Sequence, residues 1–304
     1  MLHKLIGSTG RLKKLTLLLC ATGISTLLSG CLVEKKDVEK LSRTTDTLRI
    51  YQANDYIEYN VTAVVSSGVA DPVTKYGTLR VEWNDVAPLA DPITPATTYA
   101  VLKETTTLTY NGSTEPAAVS ERYISQIDTG PMDPDQGSII LYAIDDEVDA
   151  DYWLYPNSAT PSNEPVITPI IFESPLSVGN NLSLSFSVME CNTVSNLCEN
   201  EIYEFSDAMD TVGDTREITT NLGIFTNPFE LTFSGGTIDV GLPALEFLGD
   251  IRDACGTSAD QVTHSGSMFV MPRIGIIQMT NQCQNPTGDD IVFVITARNT
   301  NIPY

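Results

Sequence analysis

Apolar and polar positions alternate with period two along most of the chain beyond residue 55. Ile57, Tyr59, Val61, Ala63 and Val65 are separated by Glu58, Asn60 and Thr62. Leu79, Val81 and Trp83 alternate with Thr78, Arg80 and Glu82, and Leu182, Leu184, Phe186 and Val188 with Ser183, Ser185 and Ser187. Phe229, Leu231 and Phe233 alternate with Glu230, Thr232 and Ser234. Successive side chains of a strand point to opposite faces, so each run has one dry and one wet face, as antiparallel sheets allow. Runs 139–144, 268–271, 274–277 and 291–295 are more apolar throughout and read as central strands covered on both faces.

Turn chemistry punctuates these runs at Asn111-Gly112, Gly179-Asn180, Gly235-Gly236 and Thr287-Gly288-Asp289. Prolines gather in the connections 88–95, 131–134 and 156–175, and the last is the best internal boundary. Only 244–254 carries a helical pattern, and Gly249 in its middle costs about 1 kcal/mol relative to Ala. The expectation is an all-β protein with large antiparallel sheets, a half-barrel or sandwich of about ten to thirteen strands, and at most one or two short helices. Residues 48–160 and 161–304 form an N-terminal and a C-terminal β half, equally readable as one continuous domain.

The first thirty residues follow a different logic. Lys4, Arg11, Lys13 and Lys14 precede a mostly apolar run, 15–28, with no acid before Glu34. That run is shorter than the roughly 20 residues needed to span a bilayer, and it ends in small residues before a cysteine, so it reads as an export signal. Leu28-Ser29-Gly30-Cys31 resembles the lipobox of bacterial lipoproteins. The resemblance implies that residues 1–30 are a signal peptide cleaved between Gly30 and Cys31. It also implies that Cys31 is diacylated with palmitate-like chains and that the new N-terminus is acylated. Leu32 stands where an aspartate retains enterobacterial lipoproteins at the inner membrane, which implies the outer membrane, facing periplasm or cell surface. Residues 31–47 are polar and aperiodic, a lipidated tether with at most one fraying helical turn.

Charge narrows the partners. The chain has 17 Lys+Arg against 39 Asp+Glu, a net charge of −22. Loss of residues 1–30 removes four basic side chains and no acid. A polyanion needs a basic stripe, so nucleic acid is excluded as a partner, and docking onto anionic lipid by charge is excluded on the same ground. Membrane attachment then rests on acyl chains, at about 0.8 kcal/mol per buried CH₂.

Of six cysteines, Cys20 leaves with the signal and Cys31 carries lipid. Cys191, Cys198, Cys255 and Cys283 remain, and an even number in an oxidising compartment reads as disulfides. Three connectivities exist; Cys191–Cys198 is favoured because the intervening residues make a strand-to-strand loop, leaving Cys255–Cys283. Zinc prefers closely spaced cysteine pairs with histidines, which this chain lacks.

A second resemblance lies in residues 266–277, where Gly266, Pro272 and Gly275 make a strand–Pro–x–x–Gly–strand pattern, and in Thr219–Phe225 with Gly223. It is similar to uncharacterised exported β proteins and to half-barrels such as the lipoprotein carriers LolA and LolB. Pro272 interrupts a ladder and Gly275 allows a bulge or sharp bend. No binding residue is carried over from it.

Catalytic chemistry is sparse. His264 is the one histidine beyond the signal, no Gly-x-Ser-x-Gly elbow accompanies it, and phosphate-loop, dinucleotide and His-Glu-x-x-His motifs are lacking. The dense constellation is Asp145, Asp146, Glu147, Asp149 and Asp151, followed by Tyr152, Trp153 and Tyr155, with a second acidic turn at Asp133 and Asp135. Asp145, Asp149 and Asp151 are the candidate calcium ligands, but the loop spacing of a dedicated calcium site is missing, and a solvated acidic loop is the plainer reading. The aromatics suit a sugar-stacking platform or, more simply, a core. Asn60, Asn111 and Asn181 open glycosylation-like triplets that read as turn and strand residues. The expectation is a non-enzymatic, cofactor-free outer-membrane lipoprotein that binds a hydrophobic ligand or an envelope protein. Its rivals are an envelope-polymer hydrolase using carboxylates or His264, and a calcium- or carbohydrate-binding surface module.

Overall fold

The period-two runs become strands because one face of each finds a dry neighbour. The computed structural model describes residues 40–66, 71–91, 96–114, 116–128, 130, 136–146, 150–156, 170–192, 197–199, 204–213, 216–238, 262–284 and 290–304. In chain order the strands are β1 (Lys40–Ser42), β2 (Tyr56–Ser66), β3 (Val73–Asp85), β4 (Leu89–Ala90), β5 (Thr98–Tyr99), β6 (Leu102–Tyr110), β7 (Ala118–Gln126), β8 (Ile139–Asp146), β9 (Ala150–Pro156) and β10 (Ile170–Phe172). There follow β11 (Asn181–Asn192), β12 (Leu197–Glu199), β13 (Glu204–Gly213), β14 (Glu217–Thr219), β15 (Ile224–Thr226), β16 (Phe229–Ile238), β17 (Val262–Met271), β18 (Gly275–Gln284) and β19 (Asp290–Thr300). The described residues are all-β, and the helical pattern at 244–254 lies outside them.

Among the described residues fourteen strands share one sheet. Its long strands pair antiparallel with their successors, β2–β3–β6–β7–β8–β9–β11–β13–β16–β17–β18–β19. β19 then pairs with β2 from Asp290↔Ser66 to Thr300↔Ile57, so the order returns to its start and the long strands form a ring without a free edge. β10 adds to the start of β8 and β12 to the end of β11. β4 and β5 make a separate small hairpin, and β1, β15 and β14 a three-stranded sheet in which β1 runs parallel to β15. The halves 48–160 and 161–304 are one continuous sheet, joined by the β9–β11 and β2–β19 ladders.

Register stacks the dry positions. Tyr59 pairs with Leu79 and Leu79 with Leu108, while Phe293 pairs with Ala63. Ile57, Tyr59, Val61, Ala63, Leu79, Val81, Trp83, Phe293 and Ile295 are all buried in one core. The opposite face is wetter than expected for run 291–295, where Val292 and Val294 are only half-buried. Among the described residues no second layer covers them, and β-branched residues are tolerated there because they suit a pleated surface. Run 268–271 is buried throughout, and the guanidinium of Arg216 lies 5.7 Å from the Phe269 ring centre.

Because the strands alternate in direction, connections 86–101, 127–138, 173–180, 214–228 and 272–274 fall at one end of the ring. Residues 40–55 cross that same end as a strap and correct the expected free tether, whose last eight residues are built into the fold. Lys40 pairs with Ile224 and Ser42 with Thr226. The Leu176 N–H donates to the Asp46 carbonyl at 2.8 Å, and the buried Leu48 donates its N–H to Ser174 Oγ at 3.0 Å. The Arg49 N–H donates to the Pro272 carbonyl at 2.7 Å, and the Tyr51 N–H to Gln126 Oε1 at 2.6 Å. A polar, aperiodic segment gains order here because its backbone groups find partners on several connections at once.

Tyr51 anchors the strap. Its ring stacks on Trp83 with centroids 3.8 Å apart and planes 7° from parallel, and its hydroxyl donates to the Ile274 carbonyl at 3.3 Å. Gly275 has φ of +113°, and a Cβ there would collide with the Tyr51 hydroxyl. Tyr51→Ala is expected to cost about 2–4 kcal/mol by loss of a half-buried aromatic ring stacked on Trp83. Gly275→Ala should cost about 1–3 kcal/mol through its backbone conformation, and more while Tyr51 Oη occupies the space. Urea unfolding of both single variants, and of Gly275→Ala in a Tyr51→Phe background, checks this: the glycine substitution should be milder without the hydroxyl.

Candidate functional site

The strap end holds the densest set of buried charged and aromatic groups among the described residues. One rung of the sheet carries Trp83 opposite Glu104 and Glu104 opposite Arg122, so three adjoining strands present these residues on one face. Trp83 Nε1 donates to Glu104 Oε2 at 2.9 Å and Arg122 Nε donates to Glu104 Oε1 at 2.5 Å. The Glu104 side chain is only 5% exposed, so both its oxygens depend on these protein donors. Tyr51 covers this rung from the strap. Beside it Arg49 Nη2 donates to both oxygens of Asp55, at 3.0 and 3.3 Å, and the Gln52 N–H donates to Asp55 Oδ2 at 2.9 Å. Gln126 donates through Nε2 to the carbonyls of Arg49 and Gly137, both at 3.1 Å.

Burial pushes the Tyr51 hydroxyl well above the ordinary phenol range. The nearby Glu104 and Asp55 carboxylates push it further, while Arg49 and Arg122 partly offset them. Burial acts likewise on Tyr59, whose hydroxyl donates to the Ile276 carbonyl at 3.0 Å. Each carboxylate in this group is engaged by a guanidinium, and the phenols are held protonated. Such a set locks the strap to the wall; it offers no free base next to a nucleophile.

A cavity of about 240 Å³ lies at the same end, lined among others by Lys40, Arg43, Phe225, Met271, Arg273 and Tyr304. The Arg43 guanidinium sits 3.7 Å from the Phe229 ring centre, and Lys40 Nζ pairs with Glu217 at 3.0 Å. Both motifs of the second sequence resemblance converge here. Residues 272–274 make the tight β17–β18 turn, closed by the Ile274 N–H on the Met271 carbonyl at 2.8 Å. Thr219 to Phe225 forms the β14–β15 turn, with the Thr220 N–H on the Gly223 carbonyl at 2.9 Å and Phe225 fully buried.

The residues singled out by sequence lie mostly at the opposite end. Gly30, Cys31, Asp133, Asp135, Asp149 and Cys255 are outside the described residues. Asp145 stands opposite Asp151 in the β8–β9 ladder, and Cys191 opposite Cys198 in β11–β12. Tyr152, Trp153 and Tyr155 of β9 face Glu190, Met189 and Ser187 of β11. His264 on β17 is opposite Cys283 on β18, a pairing that sequence separation concealed. Among the described residues no three His, Cys, Asp or Glu side chains gather as a metal-binding group. The Glu104–Arg122 lock was also missed, although a glutamate in phase with Thr106 and Leu108 on the inward side of β6 was a visible signal.

No family model matches this chain, and no curated protein or solved structure matches it either. Among the described residues no helix is long and apolar enough to cross a membrane.

Arg122→Ala leaves Glu104 buried without its cation and should cost about 3–5 kcal/mol, whereas Glu104→Gln combined with Arg122→Met should recover most of that loss. Chemical denaturation of the two variants beside the wild type is the measurement. For pH, Tyr51 and Tyr59 have folded pKa values raised above the unfolded phenol value of about 10. Their contribution is therefore whole below pH of about 10 and drains away as pH rises toward the folded values. The urea midpoint should fall steeply above pH of about 10, and Tyr51→Phe should flatten that fall.

Proposed function

We propose that this chain is a lipid-anchored, outer-membrane envelope protein whose β domain is a non-enzymatic binding module for another envelope component. The strap is the observation that carries the reading. Lys40, where the described chain enters the fold, follows Cys31 by nine residues, which extend to no more than about 32 Å. With acyl chains on Cys31, this link ties the domain to the membrane through the strap and leaves the far connections free to meet a partner. Those connections include the acidic β8–β9 hairpin and the Cys191–Cys198 pair.

The strap end favours a protein partner on the far rim over a lipid carried inside the domain. Its inner space is packed with Tyr51, Trp83, Leu48 and Phe225, and the cavity there falls below the roughly 300–1,000 Å³ of ordinary small-molecule sites. In this reading Cys191–Cys198 and Cys255–Cys283 are the two disulfides. Support for the first comes from register, because opposed antiparallel residues have Cα atoms about 4.5–5.5 Å apart, within the window for a disulfide.

Cys31→Ala should move the protein from washed membranes to the soluble envelope fraction. Photo-crosslinkers at Thr74 and Tyr76 on the far rim should then capture a stoichiometric envelope protein in the wild type, while one at Arg273 on the strap end should not. Retention of Cys31→Ala in washed membranes would overturn the anchor. Lipid co-purifying mole for mole with the Cys31→Ala form would replace the partner reading with a carrier.

A further inference from the structure

Acids outnumber bases by more than two to one in this chain, yet the strap-end cavity reverses the balance. Lys40, Arg43 and Arg273 line it, and none of its lining residues is Asp or Glu. Its floor is apolar, since Phe225, Met271 and Ile274 are buried. At its mouth Arg273 is exposed and the Lys40 side chain is 61% exposed. Ser42, Thr44 and Thr45 add hydroxyls from the strap.

Other basic groups at this end are matched by carboxylates. Arg49 pairs with Asp55 at 3.0 Å, Arg122 with Glu104 at 2.5 Å and Arg216 with Glu230 at 3.2 Å. Arg43 approaches Asp46 at 3.6 Å and lies against the Phe229 ring, and Lys40 meets Glu217 in an exposed pair. Arg273 meets no carboxylate among the described residues. Its backbone is nonetheless held in place. Pro272 restricts the chain before it, and the Pro272 carbonyl accepts the Arg49 N–H. The Ile274 N–H donates to the Met271 carbonyl, and the Ile274 carbonyl accepts the Tyr51 hydroxyl. A cation on so firmly held a turn loses little backbone freedom when it takes up a ligand.

We propose that this cavity binds one phosphate ester group, with Arg273 as its main cation and Arg43 and Lys40 beside it. Size and charge select this ligand. A net charge of −22 argues against a broad surface for polyanions and leaves room for one local anion site. A cavity of about 240 Å³ is too small for a whole lipid or a drug-sized molecule. Guanidinium forks match phosphate oxygens, hydroxyls supply further donors to a group with several acceptors, and the apolar floor receives the carbon next to the ester. The exposed Lys40–Glu217 pair contributes little and gives up its partner at small cost. A lipid headgroup and a soluble phosphate ester share this chemistry. The headgroup is the nearer source where Cys31 anchors the chain, and that source rests on the anchor reading above; the soluble ester does not.

The test begins with equilibrium dialysis of the full chain, carrying Cys31→Ala, against labelled glycerol 3-phosphate at constant ionic strength. One equivalent should bind, and Arg273→Gln should weaken binding by about tenfold or more. Arg298→Gln removes a guanidinium on β19 outside the cavity and should leave binding unchanged. The urea midpoint of Arg273→Gln should match that of its parent, so that weaker binding is not a loss of fold. Flotation with phosphatidylcholine vesicles containing phosphatidylglycerol then names the source. Flotation that Arg273→Gln abolishes assigns a lipid headgroup, and binding in dialysis without flotation assigns a soluble ester. No binding in dialysis overturns the site, as does equal weakening by Arg273→Gln and Arg298→Gln. Acetate that binds as tightly as the ester overturns the phosphate assignment. The anchor reading stands or falls separately, on whether Cys31→Ala leaves washed membranes.

Discussion

The flat contact of Tyr51 on Trp83 is the interaction on which the strap end depends. Trp83 belongs to the wall and Tyr51 to the segment that crosses it, so one stacked pair joins the entry of the chain to the ring. Everything around the pair is arranged to keep it dry and aligned. Glu104 receives the indole N–H, Arg122 holds Glu104, Gln126 takes the Tyr51 N–H, and Gly275 leaves room for the hydroxyl. Because these groups come from the strap, β3, β6, β7 and β18, loss of any one of them is felt by the others.

Closure of the sheet has a second consequence for so acidic a chain. Between Arg122 and Arg216 there is no lysine or arginine, so the strands β8 to β13 carry acids without a basic residue of their own. On the other side, Arg80 bridges Glu58 and Glu82, Arg298 approaches Glu58, and Lys103 pairs with Glu121. The acid-only wall is therefore held mainly by backbone ladders and by its two neighbours in the ring. Exposed ion pairs would contribute little in any case, whereas ladder hydrogen bonds persist whatever the sign of the side chains.

The proposed division of labour follows from the same geometry. An anchor that reaches the ring through the strap leaves the connections of the other end for recognition. The acidic hairpin, the aromatic strand β9 and the paired cysteines all belong to the half of the molecule that a membrane anchor would leave uncovered.

Alternation of apolar and polar residues was enough, by itself, to determine the all-β class and the dry face of strands such as β2 and β3, because burial on one side of a pleat leaves a period of two. Pro272 and Gly275 likewise marked an interruption or sharp bend between two strands, since each restricts or frees the backbone at its own position. Closure of the ring, the order of residues 40–55 and the meeting of Trp83 with Glu104 and Arg122 had no local signature. They depend on which strands become neighbours across the sheet, and pairing register is a relation between distant segments that no single segment encodes. His264 shows the limit most plainly: in sequence it is an isolated histidine nineteen positions from Cys283, and only the antiparallel ladder makes the two residues neighbours.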